Sequence, residues 1–207
     1  KSVIEKNLLE NFTHEHLSYF YVKPLKSFFE KNGMELFDVK FVPAKGGSIR
    51  CYVQKKNGPN EVLKSVNKFI DDEIKFGMDD LKRHETVRLF INETKEKIHK
   101  FISPIMKDGK KIAAYGTSTG ATTFSFNYEL GQSLSFFIDD DDFRHGLLSP
   151  YYKIPVVSPK KIKEEKPGAI IILAPLYADN IIEKNQDYLS DGGKFIKFWP
   201  KFEVVSH

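Results

Sequence analysis

At 207 residues, 41% hydrophobic and 14% aromatic, the chain can build one or two packed domains, and its composition excludes collagen-like, low-complexity and disordered classes. The 32 basic and 28 acidic residues leave a formal net charge of +4, too slight for a nucleic-acid footprint, so no nucleic-acid partner is expected. The lone cysteine, Cys51, excludes a disulfide framework and a multi-cysteine metal site and points to a reducing, cytoplasmic setting, while no apolar run approaches the ~18 residues of a membrane span, so no membrane partner is expected.

In chain order, residues 1–12 open at Lys1 without a clear element and read as the closing piece of a preceding domain. Residues 13–60 read as a small α+β segment. Leu17 to Val22 is aromatic and strand-like, and Pro24 suits the first turn of a helix carrying Leu25, Phe28 and Phe29 on one face and stopping at Asn32-Gly33. Met34 to Val42 and Ser48 to Gln54 then read as a hairpin turning at Lys45-Gly46-Gly47, with Ile49, Cys51 and Val53 alternating inward.

Residues 61–108 carry two amphipathic stripes, Val62, Val66, Phe69, Ile70 and Ile74, then Val87, Ile91, Thr94, Ile98, Phe101 and Ile105. They predict a two-helix insert, the second helix capped by Asp79 or Asp80 and bent or ended by Pro104.

Residues 109–207 change rhythm. Short apolar strands are expected at Lys111–Tyr115, Leu134–Ile138, Pro155–Val157, Ala169–Leu173 and Phe195–Phe198. Helices are expected from the 116–120 loop to Leu130, after Ser158-Pro159, and over 177–189. Strands too uniformly apolar to face water, alternating with helices, predict an α/β fold with a Rossmann-like parallel sheet covered by helices on both faces.

Three motifs carry chemistry. Tyr115-Gly116-Thr117-Ser118-Thr119-Gly120-Ala121-Thr122 lies between a strand and a helix, where the glycines admit close approach and the hydroxyls and helix amides suit a phosphate. It has neither the Walker nor the GxGxxG spacing, and a plain helix cap with turn glycines is the other reading. Asp139 to Asp142 follows the next strand, where an acidic residue often meets a ribose hydroxyl. A hard cation needs converging ligands from spaced positions, so a solvated loop neutralised by Arg144 is the favoured reading and no metal is expected. In Thr13-His14-Glu15-His16 the spacing does not suit zinc. A histidine beside a carboxylate suits acid–base work, against the alternative of a polar turn. His84, His99 and His207 are given no role.

Taken together, the segments His14 to Phe20, Pro24-Leu25, Gly46 to Arg50, the two-helix insert, Ala114 to Gly116 with Gly120 and Asn127, Asp139 with Gly146, and Ile154 to Val156 resemble a family in their order. It is the C-terminal region of S-adenosylmethionine-dependent sugar C-methyltransferases. The resemblance implies a nucleotide-linked keto-sugar as substrate and His16 as general base, with Glu15 beside it and Tyr19 near it. Gly116, Thr117, Ser118, Thr119, Gly120, Thr122, Asn127, Arg50, Asp139 and Arg144 would contact substrate. It further implies that S-adenosylmethionine and a structural zinc belong to regions outside this chain, which alone would be inactive. The chain departs from the family at Thr13, where a tyrosine is usual, at Asp141-Asp142 and at Leu176-Tyr177. A non-catalytic nucleotide-sugar-binding module is the rival reading, and a protein-interaction domain a third that leaves the Gly/Thr loop unexplained.

Overall fold

The computed structural model describes residues 1–13 and 15–207. The chain divides into two compact units, Lys1–Leu8 with His14–Arg88, and Leu9–Thr13 with Leu89–His207.

In the first unit a short helix α1 (Ser2–Glu5) precedes α2 (Val22–Lys31), the hairpin β1 (Met34–Val42) and β2 (Ser48–Lys55), and α3 (Lys64–Phe76). Helix α2 has no cap from its own flank. The carboxylate of Glu73 on α3, only 3% exposed, accepts the amides of Val22 (2.7 Å) and Lys23 (3.0 Å) instead. A buried negative charge thus satisfies two of the free amides of α2 and favours its dipole. Val22, Leu36, Val39 and Val66 form the core, with Phe29, Ile49, Cys51, Val53, Phe69 and Ile70 around it.

The hairpin pairs Val39 with Cys51 and Phe41 with Ile49. Its turn requires glycine twice. Gly46 and Gly47 both have positive φ (82° and 138°), and a Cβ there would stand 2.6 Å from Leu8 Cδ1 and 2.7 Å from Ser2 Oγ. The N-terminal segment lies against this turn, and the Lys6 ammonium donates to the Gly46 carbonyl at 2.6 Å.

Two expectations fail here. Leu17 to Val22 forms no strand: Leu17 and Phe20 are exposed, no neighbouring strand pairs with the segment, and Val22 already opens α2. Val62 and Ile74 do not join the apolar stripe. The amide of Leu63 donates to Phe37 O on β1 (2.8 Å), so α3 starts only at Lys64, leaving Val62 exposed ahead of it and Ile74 facing water.

Helix α4 (Leu81–Lys107) starts in the first unit and runs through the second. Asp80 caps it by accepting the Lys82 amide, whereas Asp79 takes the Tyr21 hydroxyl and the Lys23 ammonium. Pro104 does not end it. Only one intrahelical donor is lost so near the terminus, and the helix closes at Gly109 (φ 75°), whose amide reaches Met106 O while that of Lys110 reaches Ile105 O.

The second unit continues with β3 (Ile112–Tyr115), α5 (Thr119–Asn127), β4 (Phe136–Ile138), β5 (Val156–Val157), α6 (Lys161–Glu165), β6 (Ala169–Ile172), α7 (Ala178–Lys184), α8 (Gln186–Ser190), β7 (Phe195–Lys197) and β8 (Glu203–Val205). The sheet order is β5-β4-β3-β6-β7-β8, parallel except for the antiparallel pair β7–β8. The expected Rossmann-like architecture is present. Ala113, Tyr115, Ile170 and Ile172 pack on one side with Ile162, Ala178, Ile181 and Leu189 from α6 to α8. Ile112, Ala114 and Ile171, alternate along the strands, are just as buried, as are Ile98 and Ile102 of α4 and Phe124 of α5.

The sequence reading missed β8, which has only three residues. It also merged α7 and α8, which Asn185 separates by turning its amide onto Ile181 O (2.7 Å). Among the described residues no helix is long and apolar enough to cross a membrane.

Tyr128, just beyond α5, is wholly buried between Phe124 and Phe198, with ring centroids 6.2 and 5.1 Å away. Its hydroxyl has no hydrogen-bond partner among the described residues, and burial pushes its pKa well up. A buried hydroxyl without a partner costs stability. Tyr128→Phe removes it while keeping the ring contacts, and is expected to stabilise the fold by about 1 kcal/mol. A urea midpoint at or below wild type would contradict this.

Candidate functional site

In this strand order the chain reverses direction across the sheet between β3 and β6, so their carboxyl ends form the crevice in which ligands of open α/β folds bind. Gly116 lines it from β3. Its φ is 103°, and a Cβ there would stand 3.0 Å from Ala174 Cβ, beyond β6. Its amide is held by Ile138 O at 2.8 Å.

The next residue, Thr117, turns both its amide (2.9 Å) and its hydroxyl onto Asp139 Oδ2, at the end of β4. Arg144 donates to the same carboxylate oxygen (3.1 Å) and to the Thr117 hydroxyl (3.0 Å), and its Nε lies 3.2 Å from Asp141 Oδ2. The other Asp139 oxygen accepts the Asp141 amide (3.0 Å), and the His145 ring contacts Asp139 O (2.8 Å). Thr117, Asp139 and Arg144, all expected as substrate contacts, are thus brought together, but they are bonded to one another. Asp139 is only 8% exposed, so the expected solvated loop holds for Asp140 and Asp142, which are exposed, but not for Asp139. Asp140 is engaged as well, by the Tyr115 hydroxyl (2.7 Å) and Lys184 (3.3 Å).

Ser118 caps α5, its hydroxyl accepting the Ala121 amide (3.3 Å). Among the first amides of the helix, those of Thr119 and Gly120 have no partner within it. Ser118, Thr119 and Thr122 are exposed. The 3-10 turn Leu9–Asn11 packs on this helix: a Cβ on Gly120 would stand 3.2 Å from Glu10 Cβ, and the Thr123 hydroxyl donates to Phe12 O. Burial raises the Glu10 pKa. Asn127 is not brought to the loop. It sits at the far end of α5 with its amide on Thr123 O (2.9 Å).

The acid–base candidates belong to the first unit. Glu15, His16 and Tyr19 are all exposed, and the His16 and Tyr19 rings meet edge to face at 6.4 Å. His14 lies outside the described residues. The Thr13 hydroxyl is buried without a hydrogen-bond partner among them. Arg50 lies exposed on β2, in register with Lys40. Sequence reasoning missed Glu10, the Tyr115–Asp140 pair and the exposed ring of Phe143. Of these, only the placement of Phe143 within the acidic run was a readable signal.

A carboxylate offers about four acceptor positions. Asp139 has four donors of its own, so it has little left for a ribose hydroxyl, and Ala174 crowds Gly116. Among the described residues no group of three or more His, Cys, Asp or Glu side chains could hold a metal ion.

Burial by itself pushes the Asp139 carboxyl up, but hydrogen bonds from Thr117 and Asp141 and the Arg144 charge outweigh it and hold the pKa below the ordinary 3.8. A depressed carboxyl stabilises the fold fully above its unfolded value, and that stabilisation is lost as pH falls through the lower folded value. Asp139→Asn is expected to destabilise by about 2 kcal/mol at neutral pH and to narrow the gap in urea midpoint between about pH 5 and about pH 3. An unchanged gap would mean that Asp139 does not titrate as the hub of this network.

Residues 43–200 match the family model described as the C-methyltransferase C-terminal domain. The chain is 29% identical over 205 residues to the C-methyltransferase NovU of Streptomyces niveus, covering 99% of this chain and 49% of NovU, so it spans about half the length of that curated relative. A crystal structure of UDP-D-quinovosamine 4-dehydrogenase from Vibrio fischeri matches 47% of this chain and 93% of its own, with 19% identity and a TM-score of 0.34. With the family model matching from the hairpin turn through β2, the helical segment and five of the six strands of the larger sheet, the chain belongs to the C-methyltransferase C-terminal domain family.

Proposed function

We propose that this chain is the substrate-binding part of a cytoplasmic, S-adenosylmethionine-dependent C-methyltransferase acting on a nucleotide-linked keto-sugar. Family membership supports the methyl-transfer class. The observation that carries the substrate reading is the first turn of α5, where exposed hydroxyls of Ser118 and Thr119 flank helix amides at the carboxyl end of β3. Such an arrangement suits the diphosphate of a nucleotide-sugar. Arg144, already fixed beside Thr117, adds positive charge nearby.

In this reading His16 removes the proton alpha to the ketone, Glu15 and Tyr19 support it, and the enolate carbon so formed is the nucleophile that is methylated. S-adenosylmethionine supplies the methyl group, bound in the half of the relative's length that this chain does not span. Arg50, Thr122 and Asn127 remain proposed substrate contacts by resemblance. A base within hydrogen-bond reach of the proton supplies a large rate factor.

His16→Asn in the full-length protein is expected to keep the fold and much of the substrate affinity while turnover falls by roughly 10²- to 10⁴-fold. The sharper readout is exchange of the sugar's alpha proton with deuterium, which needs the base and no methyl donor. Exchange at the wild-type rate would remove His16 from the role. Loss of the alternative base candidates, Tyr19 and Tyr21, without effect as well would favour the non-catalytic binding module, for which Thr13 speaks.

Gly120→Asp places a side chain and a negative charge against Glu10 and the helix amides. Nucleotide-sugar affinity is expected to fall by about 2–4 kcal/mol. Undiminished binding by a folded variant would place the ligand elsewhere.

A further inference from the structure

Phe143 is anomalous. It is 94% exposed, yet it sits on a turn tied by several hydrogen bonds. The Phe143 amide is held by Asp141 Oδ1 (3.1 Å), that of Arg144 by Asp141 O (3.0 Å) and that of His145 by Asp142 O (3.2 Å). The turn is anchored at both ends. Asp141 and Arg144 tie it to Asp139, and Gly146 donates to Val156 O on β5 (3.0 Å). A large apolar ring with a fixed backbone and no covering side chain is a preformed stacking face.

Its position defines the ligand. Phe143 follows β4 by a few residues, on the loop beside Gly116 and Thr117, at the side of the crevice where a ribose-reading carboxylate is expected in such folds. Here that carboxylate, Asp139, is filled by four internal donors and is turned away from ligand duty. A nucleotide lying with its phosphates on the first turn of α5 would therefore find Asp139 already engaged, with only the exposed Asp140 and Asp142 carboxylates farther along the loop. It would meet an exposed aromatic ring.

We infer that Phe143 is the stacking platform for the nucleobase of the nucleotide-linked substrate, and that this unit recognises the nucleotide by base stacking rather than by a ribose bond to Asp139. This rests on the proposed nucleotide-sugar reading. Arg144, next in the chain, couples the two ends of the ligand, because the same guanidinium that steadies the platform braces Thr117. Stacking of this kind tolerates any base, so Phe143 sets affinity for the nucleotide portion more than the choice among bases.

The test is binding by calorimetry to the full-length protein, with uridine, thymidine, guanosine and adenosine diphosphates and with inorganic pyrophosphate. For whichever nucleotide binds, Phe143→Ala is expected to weaken affinity about 10- to 100-fold, while Phe143→Tyr, which keeps the ring, stays within about threefold of wild type. Pyrophosphate affinity is expected to be the same in all three proteins. The side chain is almost wholly exposed, so the variants should share the wild-type thermal midpoint. If the wild type binds a nucleotide and Phe143→Ala binds it equally well, the platform is wrong and the nucleotide-sugar reading stands. If Phe143→Ala weakens nucleotide and pyrophosphate alike, the residue shapes the loop rather than stacking on a base, and the inference is overturned. If the wild type binds none of the four nucleotides, the nucleotide reading fails and the platform with it.

Discussion

The Asp139 carboxylate is the constraint on which the carboxyl end of the sheet depends. It lies at the end of β4 and gathers donors from the loop after β3 (Thr117), from its own loop (Asp141) and from the 3-10 turn beyond it (Arg144). Backbone bonds tie these segments to neighbouring strands at Gly116, Asp139 and Gly146. One buried charge turns them into a single shell, and charge-assisted bonds of this kind are stronger than neutral ones. The arrangement also has a cost in function: a carboxylate with four internal donors has little capacity left for a ligand. In the proposed reading, ligand recognition at this edge would pass to groups the network positions but does not consume, namely the first amides and hydroxyls of α5 and the ring of Phe143.

The first unit uses the same device in another place. Glu73 reaches from α3 to the bare N-terminus of α2 and takes up two amides. Removing either partner would leave buried polar groups unmet, so helix pairing is fixed by a long-range bond rather than by local capping residues. The glycine pair at the hairpin turn works by shape: Leu8 and Ser2 come within 3 Å of where side chains would begin. Gly46 to Arg50, which carries part of the family resemblance, is thus explained at its first two positions by packing alone, without a ligand.

Much of the second unit was legible because its strands are uniformly apolar and short, which only a sheet covered on both faces tolerates. The loop at 116–120 was legible for the same reason, as the point where such a strand must hand over to a helix. What was not legible depends on contacts distant in sequence. Asp139 looks as solvated as the rest of its acidic run until Thr117 is seen to donate to it from 22 residues away. The strand expected at Leu17–Val22 has the right residue types and no neighbour to pair with, and β-propensity means little without one. Val62 has the right spacing for the α3 stripe, but the bond from Leu63 to Phe37 O decides where the helix begins. Asn127 was grouped with the loop only through the family resemblance, although it lies at the far end of α5. At about 1.5 Å rise per residue, that helix carries it away from the loop along its length.

The two units divide the proposed chemistry according to what each can hold rigidly. Base candidates lie on an irregular segment before α2, exposed, with aromatic neighbours and without strand pairing. The groups proposed to hold the nucleotide lie on sheet loops tied by hydrogen bonds to the buried Asp139 carboxylate. A reaction that begins with loss of a proton from carbon needs its base placed to within a fraction of an ångström, yet a nucleotide handle can be gripped far from the reacting atom. A rigid grip on the handle lowers the entropy of the whole substrate before the base engages it. In the proposed reading the network around Asp139 would bear on turnover by holding the handle, without touching the reacting carbon.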